Sequence, residues 1–234
     1  MSENSNSLLQ REAFDDAQAI AHAQPFPFFI TSGVLVDADR PRLDRDFPTY
    51  SSAGFFPYEA QDCGESVNAL VEEITSPAFA DLIGGKLGID NLCQYPTLVT
   101  LCRLLNLRHG TIHTDSRSKV ATALIYLNEQ WPDDASGGSL RFLAKIDDIE
   151  AMVAPQIEPL YGNFVVFKRA ENSFHGHLPY EGERRVIQVA WLTSEDEKRR
   201  KTKRGKFSRM FKKFFGALDR RIGAKRDRSA SHPN

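Results

Sequence analysis

The sequence predicts a mainly β fold with flanking helices, a jelly-roll sandwich, and three observations carry that prediction. Two helical stretches, Glu65 to Ile74 and Ser76 to Leu87, fall in the first half of the chain. From Thr97 onward the pattern changes to short β-branched and aromatic runs divided by turn-rich segments. A length of 234 residues suits one domain with a sizeable core. Helices first and short strands afterwards point to a sandwich flanked by helices on one side.

Residues 1 to about 7 are polar and read as loose. Leu8 to His22 reads as a short helix ended by Gln24-Pro25, and Phe26 to Val36 as a first strand. Asp37 to Gly64, rich in Pro, Gly, Ser and Asp, reads as an irregular surface connection, with a lid over a pocket as the functional alternative. Ser76-Pro77 supplies a cap followed by proline at the first helical position, and Gly84-Gly85 weakens that helix near its end. Strand candidates follow at Thr97–Leu105, Val120–Leu127, Leu140–Leu143, Phe164–Phe167 and Val186–Leu192. Trp131-Pro132-Asp133-Asp134-Ala135-Ser136-Gly137-Gly138 between them is a turn signal. The expected organisation is a helical and loop part, 1–94, packed on a core, 95–194, and then a basic tail, 195–234.

The formal charge of −1 hides an asymmetry. Residues 198 to 228 hold fifteen of the 30 Lys and Arg but only two of the 31 acids, so an acidic body carries a strongly basic tail. Within it Phe207, Met210, Phe211, Phe214, Phe215, Leu218 and Ile222 share one face at 3.6 residues per turn, predicting an amphipathic helix over 207–222. Two partners fit such a helix: the jelly roll itself, or an anionic membrane surface. Nucleic acid is disfavoured, because no base-reading motif or aromatic platform accompanies the charge. Three cysteines, Cys63, Cys93 and Cys102, with no CxxC, imply neither a disulfide framework nor a zinc site. With no signal peptide legible and no apolar run near ~20 residues, the expected setting is cytoplasmic, with peripheral membrane contact as the alternative.

The chemistry centres on His113-Thr114-Asp115 and on His175. In an extended strand, side chains at i and i+2 share a face, so His113 and Asp115 aim at one point. His175 lies in Asn172-Ser173-Phe174-His175-Gly176-His177, just after the strand-like run Asn163 to Phe167. Two such strands laid side by side join two imidazoles and one carboxylate. That is the facial triad of non-haem Fe(II), which leaves coordination positions open.

Around these residues Gly110, Ile125-Tyr126-Leu127-Asn128, Gly137-Gly138-Ser139-Leu140-Arg141 and Gly182-Glu183-Arg184-Arg185 occur in one order. That order resembles the prolyl-4-hydroxylase-like 2-oxoglutarate/Fe(II) dioxygenases over roughly residues 95 to 193. The resemblance implies a double-stranded β-helix (jelly roll, cupin-like) and the use of Fe(II), 2-oxoglutarate and O2. It implies His113, Asp115 and His175 as metal ligands, with His177 the rival of His175. It places Tyr126 and an arginine on the distal carboxylate of 2-oxoglutarate, where a planar guanidinium holds a carboxylate at two points.

Arg184 and Arg185 must face opposite sides of their strand. Arg185 shares parity with the apolar Ile187, Val189 and Trp191 and is the preferred cation; Arg184, with Val186 and Gln188, reads as the outer face. Lys119 is a further salt-bridging candidate for the same slot, and His109 reads as a packed or exposed side chain. Halogenating relatives lack the carboxylate, so Asp115 implies hydroxylation or a related oxidation. The prime substrate (protein, lipid or saccharide) is open. Two other classes compete: a cupin-like metal enzyme that does not use O2, such as an isomerase or sugar-modifying enzyme, and a non-enzymatic membrane-surface scaffold acting through the basic helix.

Overall fold

The computed structural model describes residues 7–132 and 137–206. In chain order its main elements are strands β1 (Ile20–His22) and β2 (Phe28–Thr31), helix α1 (Arg40–Asp46), strand β3 (Phe55–Pro57), helices α2 (Glu65–Ile74) and α3 (Pro77–Leu87), and strands β4 (Thr97–Leu105), β5 (Lys119–Tyr126), β6 (Arg141–Leu143), β7 (Phe164–Lys168), β8 (Phe174–Gly176) and β9 (Gly182–Leu192). Residues 195–206 are helical as well. Seven strands form one sheet in the order β1-β2-β7-β5-β9-β4-β3, and β6 pairs with β8 in a smaller layer. Isolated bridges Leu143–Met152 and His113–His175 widen that smaller layer on its two sides.

Both faces of the large sheet are covered, which sets up two apolar clusters. Alternation along β5 and β9 sends Ala123, Ile125, Ile187, Val189 and Trp191 into one cluster with α2 and α3. The opposite parity sends Leu124, Tyr126 and Val186 into the sandwich interior with Phe142. Helix α2 reaches the first cluster with Val67, Leu70, Val71 and Ile74, the i, i+3, i+4, i+7 stripe of an amphipathic helix. Helix α3 starts where the sequence predicts. The Ser76 hydroxyl accepts from Phe79 N–H at 3.2 Å, Pro77 occupies the first turn, and Gly88 ends the helix at φ 61°. Each large side chain buried this way contributes about 1.5–3 kcal/mol relative to exposure.

Four expectations need correction. Leu8 to His22 is not a helix but a 3-10 turn, Arg11–Phe14, followed by β1. The Glu73 carboxylate takes Leu8 N–H at 2.8 Å, Leu9 bridges Leu35, and Phe14 inserts edge-on between Phe79 and Phe164, so tertiary partners override local propensity. The strand expected over Phe26 to Val36 is only Phe28–Thr31, and it is the second strand, not the first. The stretch from Asp37 to Gly64 is not irregular throughout, because it holds α1 and β3. Its Asp46 caps α2 from a distance, accepting Ser66 N–H at 2.9 Å and Ser66 Oγ–H at 2.7 Å. Last, the first part of the basic tail, 195–206, is a helix, where the sequence pattern predicts one only over 207–222. Its start has the Ser-x-x-Glu capping pattern, Glu197 N–H donating to Ser194 Oγ at 3.3 Å, with Arg199–Asp196 and Arg200–Glu197 pairs at 2.6 Å along it. The predicted helix 207–222 lies outside the described residues. No helix among the described residues is long and apolar enough to cross a membrane.

Candidate metal centre

The segment 110–115 runs beside β8 and is held there by backbone bonds. His113 N–H donates to His175 C=O at 3.0 Å, His175 N–H to His113 C=O at 3.0 Å, and His177 N–H to Gly110 C=O at 2.9 Å. Gly110 has φ +94°, and a Cβ there would overlap the His177 ring, so the close approach of these two segments requires glycine. Directly opposed residues of an antiparallel pair project to the same face. The rings of His113 and His175 accordingly lie 4.4 Å apart, and Asp115, two residues on, joins them. Ligating atoms of His113, Asp115 and His175 all lie within 4.8 Å of one another, and no other such group occurs among the described residues.

Hydrogen bonds prepare each member for a cation. His113 Nδ1 sits 2.8 Å from Thr111 C=O, and His175 Nδ1 2.9 Å from Ser173 C=O. A carbonyl only accepts, so both Nδ1 atoms carry the proton and both Nε2 lone pairs are left for a metal. Burial lowers the His175 pKa to about 4, against the opposing pull of Asp115, so this imidazole is neutral at pH 7. Burial pushes Asp115 upward, but the charges of Lys119 and His175 and hydrogen bonds from Lys119 and Thr122 outweigh it and hold the carboxyl at about 2. Lys119 Nζ donates to one carboxylate oxygen at 2.7 Å and Thr122 Oγ to the other at 2.5 Å. Two imidazoles that turn Nδ1 to a carbonyl and one ionised carboxylate, with His113 exposed on the solvent side, fit a divalent iron with open positions.

The triad opens into a cavity of about 490 Å³ whose wall also includes Leu124, Phe167, His177 and Arg184. Here the parity reading of the two arginines is overturned. Arg184 is 3% exposed and points into the sandwich, whereas Arg185 points to the other side and pairs with Asp44 and Glu183. The more apolar face of β9 is indeed buried, but against the helices. The mixed face lines the cavity, with Arg184 and Gln188 as its polar positions.

Arg184 Nε donates to Gly138 C=O at 2.8 Å and Nη2 to Tyr126 Oη at 3.2 Å, with the guanidinium 5.1 Å from the Tyr126 ring centre. Tyr126 is fully buried behind Arg184 and is not part of the cavity wall. Lys119 belongs to Asp115, not to the arginine's end of the cavity. His177 lines the wall, its pKa lowered to about 4 by burial and by Arg184, and it stands outside the triad.

Sequence reasoning gave no role to Thr122, which bonds Asp115, or to Gly138, whose carbonyl holds Arg184. A hydroxyl at Thr122 in register with Leu124 and Tyr126 was the available signal for the first, since a polar group on a buried face needs a partner.

Residues 102–193 match the family model described as the 2OG-Fe(II) oxygenase superfamily. No curated protein sequence matches the chain. Among solved structures, a Pseudomonas putida prolyl-4-hydroxylase is similar at 20% identity over 71% of this chain and 88% of that one, with a TM-score of 0.46. A Trichoplax adhaerens prolyl hydroxylase, solved with a hypoxia-inducible-factor peptide fragment, is 16% identical over 73% and 85% of the two chains, with a TM-score of 0.49. The viral collagen prolyl hydroxylase of Paramecium Bursaria Chlorella virus-1 is 16% identical over 72% and 96%, with a TM-score of 0.48. Likenesses at this level say nothing about substrate. The family match spans all three residues of the triad and so covers the part of the chain that carries the candidate metal centre.

Proposed function

We propose that this chain is a dioxygenase that holds Fe(II) with His113, Asp115 and His175, takes 2-oxoglutarate against Arg184, and hydroxylates a prime substrate at the solvent side of His113. The observation that carries the reading is Arg184. It is a buried guanidinium with no carboxylate partner among the described residues, in the same cavity as a carboxylate-imidazole triad. A buried cation is stable only when an anion meets it. The distal carboxylate of 2-oxoglutarate, held at the triad through its keto-acid end, would supply that anion, and a guanidinium suits a carboxylate.

Bound iron, 2-oxoglutarate and O2 supply the oxidation, in which the keto acid becomes succinate and CO2 as the substrate is hydroxylated. The chain's own residues do the rest. Thr111 and Ser173 carbonyls fix the tautomers of the two histidines. Lys119 and Thr122 occupy the two carboxylate oxygens of Asp115 and hold its plane. Leu124 and Phe167 dry the inner wall. The test is anaerobic addition of Fe(II) and 2-oxoglutarate to the full chain, followed by its visible charge-transfer absorption. A folded protein that shows none is not this enzyme.

The prime substrate class (protein, lipid or saccharide) stays open within this reading, and so does an approach to an anionic membrane through 207–222. Lys201 of the helix 195–206 donates to Ser116 Oγ at 2.9 Å, next to Asp115, so the described start of the tail lies beside the cavity. Flotation with anionic liposomes, with and without 207–222, tests the membrane contact: equal flotation of both forms removes it. A cytoplasmic setting belongs to the same reading and is supported by the sparse cysteines without a CxxC.

A further inference from the structure

At Asn128 the chain leaves β9. Up to Leu127 the backbone of β5 pairs with it, Leu127 N–H donating to Arg185 C=O at 3.1 Å. At the next residue the backbone turns away, Asn128 N–H donating to Pro159 C=O at 3.2 Å and Asn128 C=O accepting from Tyr161 N–H at 2.7 Å. The side chain takes over where the backbone left off. Asn128 Nδ2 donates to Glu183 C=O at 3.0 Å and Oδ1 accepts from Arg185 N–H at 2.7 Å.

The two bonded groups belong to the residues on either side of Arg184, so one buried amide grips the strand just before and just after the buried guanidinium. Asn128 itself is 6% exposed. The grip needs a donor and an acceptor on separate atoms of one short side chain, which an amide has; an ionised carboxylate lacks the donor, an alkyl group lacks both, and a hydroxyl carries both on a single atom. The two partners also fix which end of the amide is which.

We infer that Asn128 is a positioning residue for the cosubstrate: by clamping the backbone on both sides of Arg184 it aims the guanidinium at the distal carboxylate of 2-oxoglutarate. The inference rests on the reading of Arg184 given above. Other contacts hold the guanidinium itself, through Gly138 C=O and Tyr126 Oη, but these constrain the tip while Asn128 constrains the root. A tilt of the root displaces a long side chain's end by more than its own amplitude. The interaction at stake is a two-point one, which tolerates little misplacement.

The experiment compares two keto acids on the anaerobic, Fe(II)-loaded full chain, each titrated by the charge-transfer band. 2-Oxoglutarate has the distal carboxylate, and pyruvate has the same chelating head without it. Arg184→Ala calibrates the assay: it is expected to weaken 2-oxoglutarate by about 100-fold, the loss of a charge-assisted pair, and to leave pyruvate within about twofold. Asn128→Ala is expected to weaken 2-oxoglutarate by about tenfold, with pyruvate and Fe(II) affinities within about twofold, and the double variant to be no weaker than Arg184→Ala alone.

Equal weakening of both keto acids shows that Asn128 merely supports the fold, and unchanged 2-oxoglutarate affinity shows that it does not aim Arg184; either result overturns the inference. Should Asn128→Ala not fold, Asn128→Ser, which keeps a polar group but cannot span both partners, is read by the same criteria. If Arg184→Ala itself fails to separate the two keto acids, it is the functional reading that falls.

Discussion

His113 and His175 form one closed antiparallel pair, each giving its N–H to the other's carbonyl at 3.0 Å, with their rings 4.4 Å apart. Two imidazoles 62 residues apart in the chain (175 − 113 = 62) are thereby placed with backbone accuracy and not by flexible side chains. Replacing either by alanine is expected to drop bound iron from one per chain to near none while the fold persists. Asp115→Ala is expected to do the same. Elemental analysis after anaerobic loading and desalting measures it.

Thr122 and Lys119 take the two oxygens of Asp115. Thr122→Val keeps the shape and removes the donor, leaving one oxygen of a buried carboxylate without a partner. Outer-shell changes of this kind cost about 10–100-fold in metal affinity or activity. The expected readout is an iron affinity lowered within that range, with circular dichroism unchanged.

The two arginines separate cleanly. Arg184→Ala is expected to abolish 2-oxoglutarate-dependent succinate release at ordinary cosubstrate concentrations. Arg185→Ala removes pairs with Asp44 and Glu183 on the far face and is expected to change release by no more than about twofold. Coupled measurement of succinate on both variants decides the point. The opposite order of effects would restore the parity reading.

Acid sensitivity of the metal-free protein follows from His175 and His177. Each has its pKa lowered by burial from 6.5 to about 4. Between those values the unfolded chain binds a proton that the folded one does not, so stability falls as pH drops from 6.5 to about 4. The loss amounts to roughly 3 kcal/mol per imidazole at full effect. Asp115, held at about 2 against an ordinary 3.8, adds a further loss only below 3.8. Urea midpoints at a series of pH values are expected to decline through the first window, and His177→Gln to decline less.

Gly138 stands at φ +78°, and a Cβ there would lie 2.7 Å from the Trp131 ring. Gly138→Ala therefore shifts the carbonyl that holds Arg184 Nε. It is expected to weaken 2-oxoglutarate binding while leaving iron loading intact, which parallel titrations of the two ligands check.

Much of this was legible in the chain, for reasons that differ by element. Helix α3 carries its own cap and both α2 and α3 carry apolar faces, so their bounds fall close to where residue chemistry puts them, although α2 takes its cap from the distant Asp46. His113 and Asp115 are legible because a two-residue spacing has one meaning on a strand. The choice between Arg184 and Arg185 was not, because parity says which residues share a face and not which face is which. With both faces of the sheet buried, apolarity marks the helix side and the polar interruption marks the site. Leu8 to His22 misled because its partners, Glu73 and Leu35, are far away in the chain. The helix at 195–206 announced itself through Ser194 and Glu197, a signal masked by the charge that surrounds it.

The most direct test of the central claim is the visible spectrum of the intact chain under argon with one equivalent of Fe(II) and an excess of 2-oxoglutarate. A weak charge-transfer band that saturates at one iron per chain, and that disappears in His175→Ala and is absent with succinate, is the expected result. A well-folded chain that binds no iron, or that binds iron and gives no band with the keto acid, contradicts it.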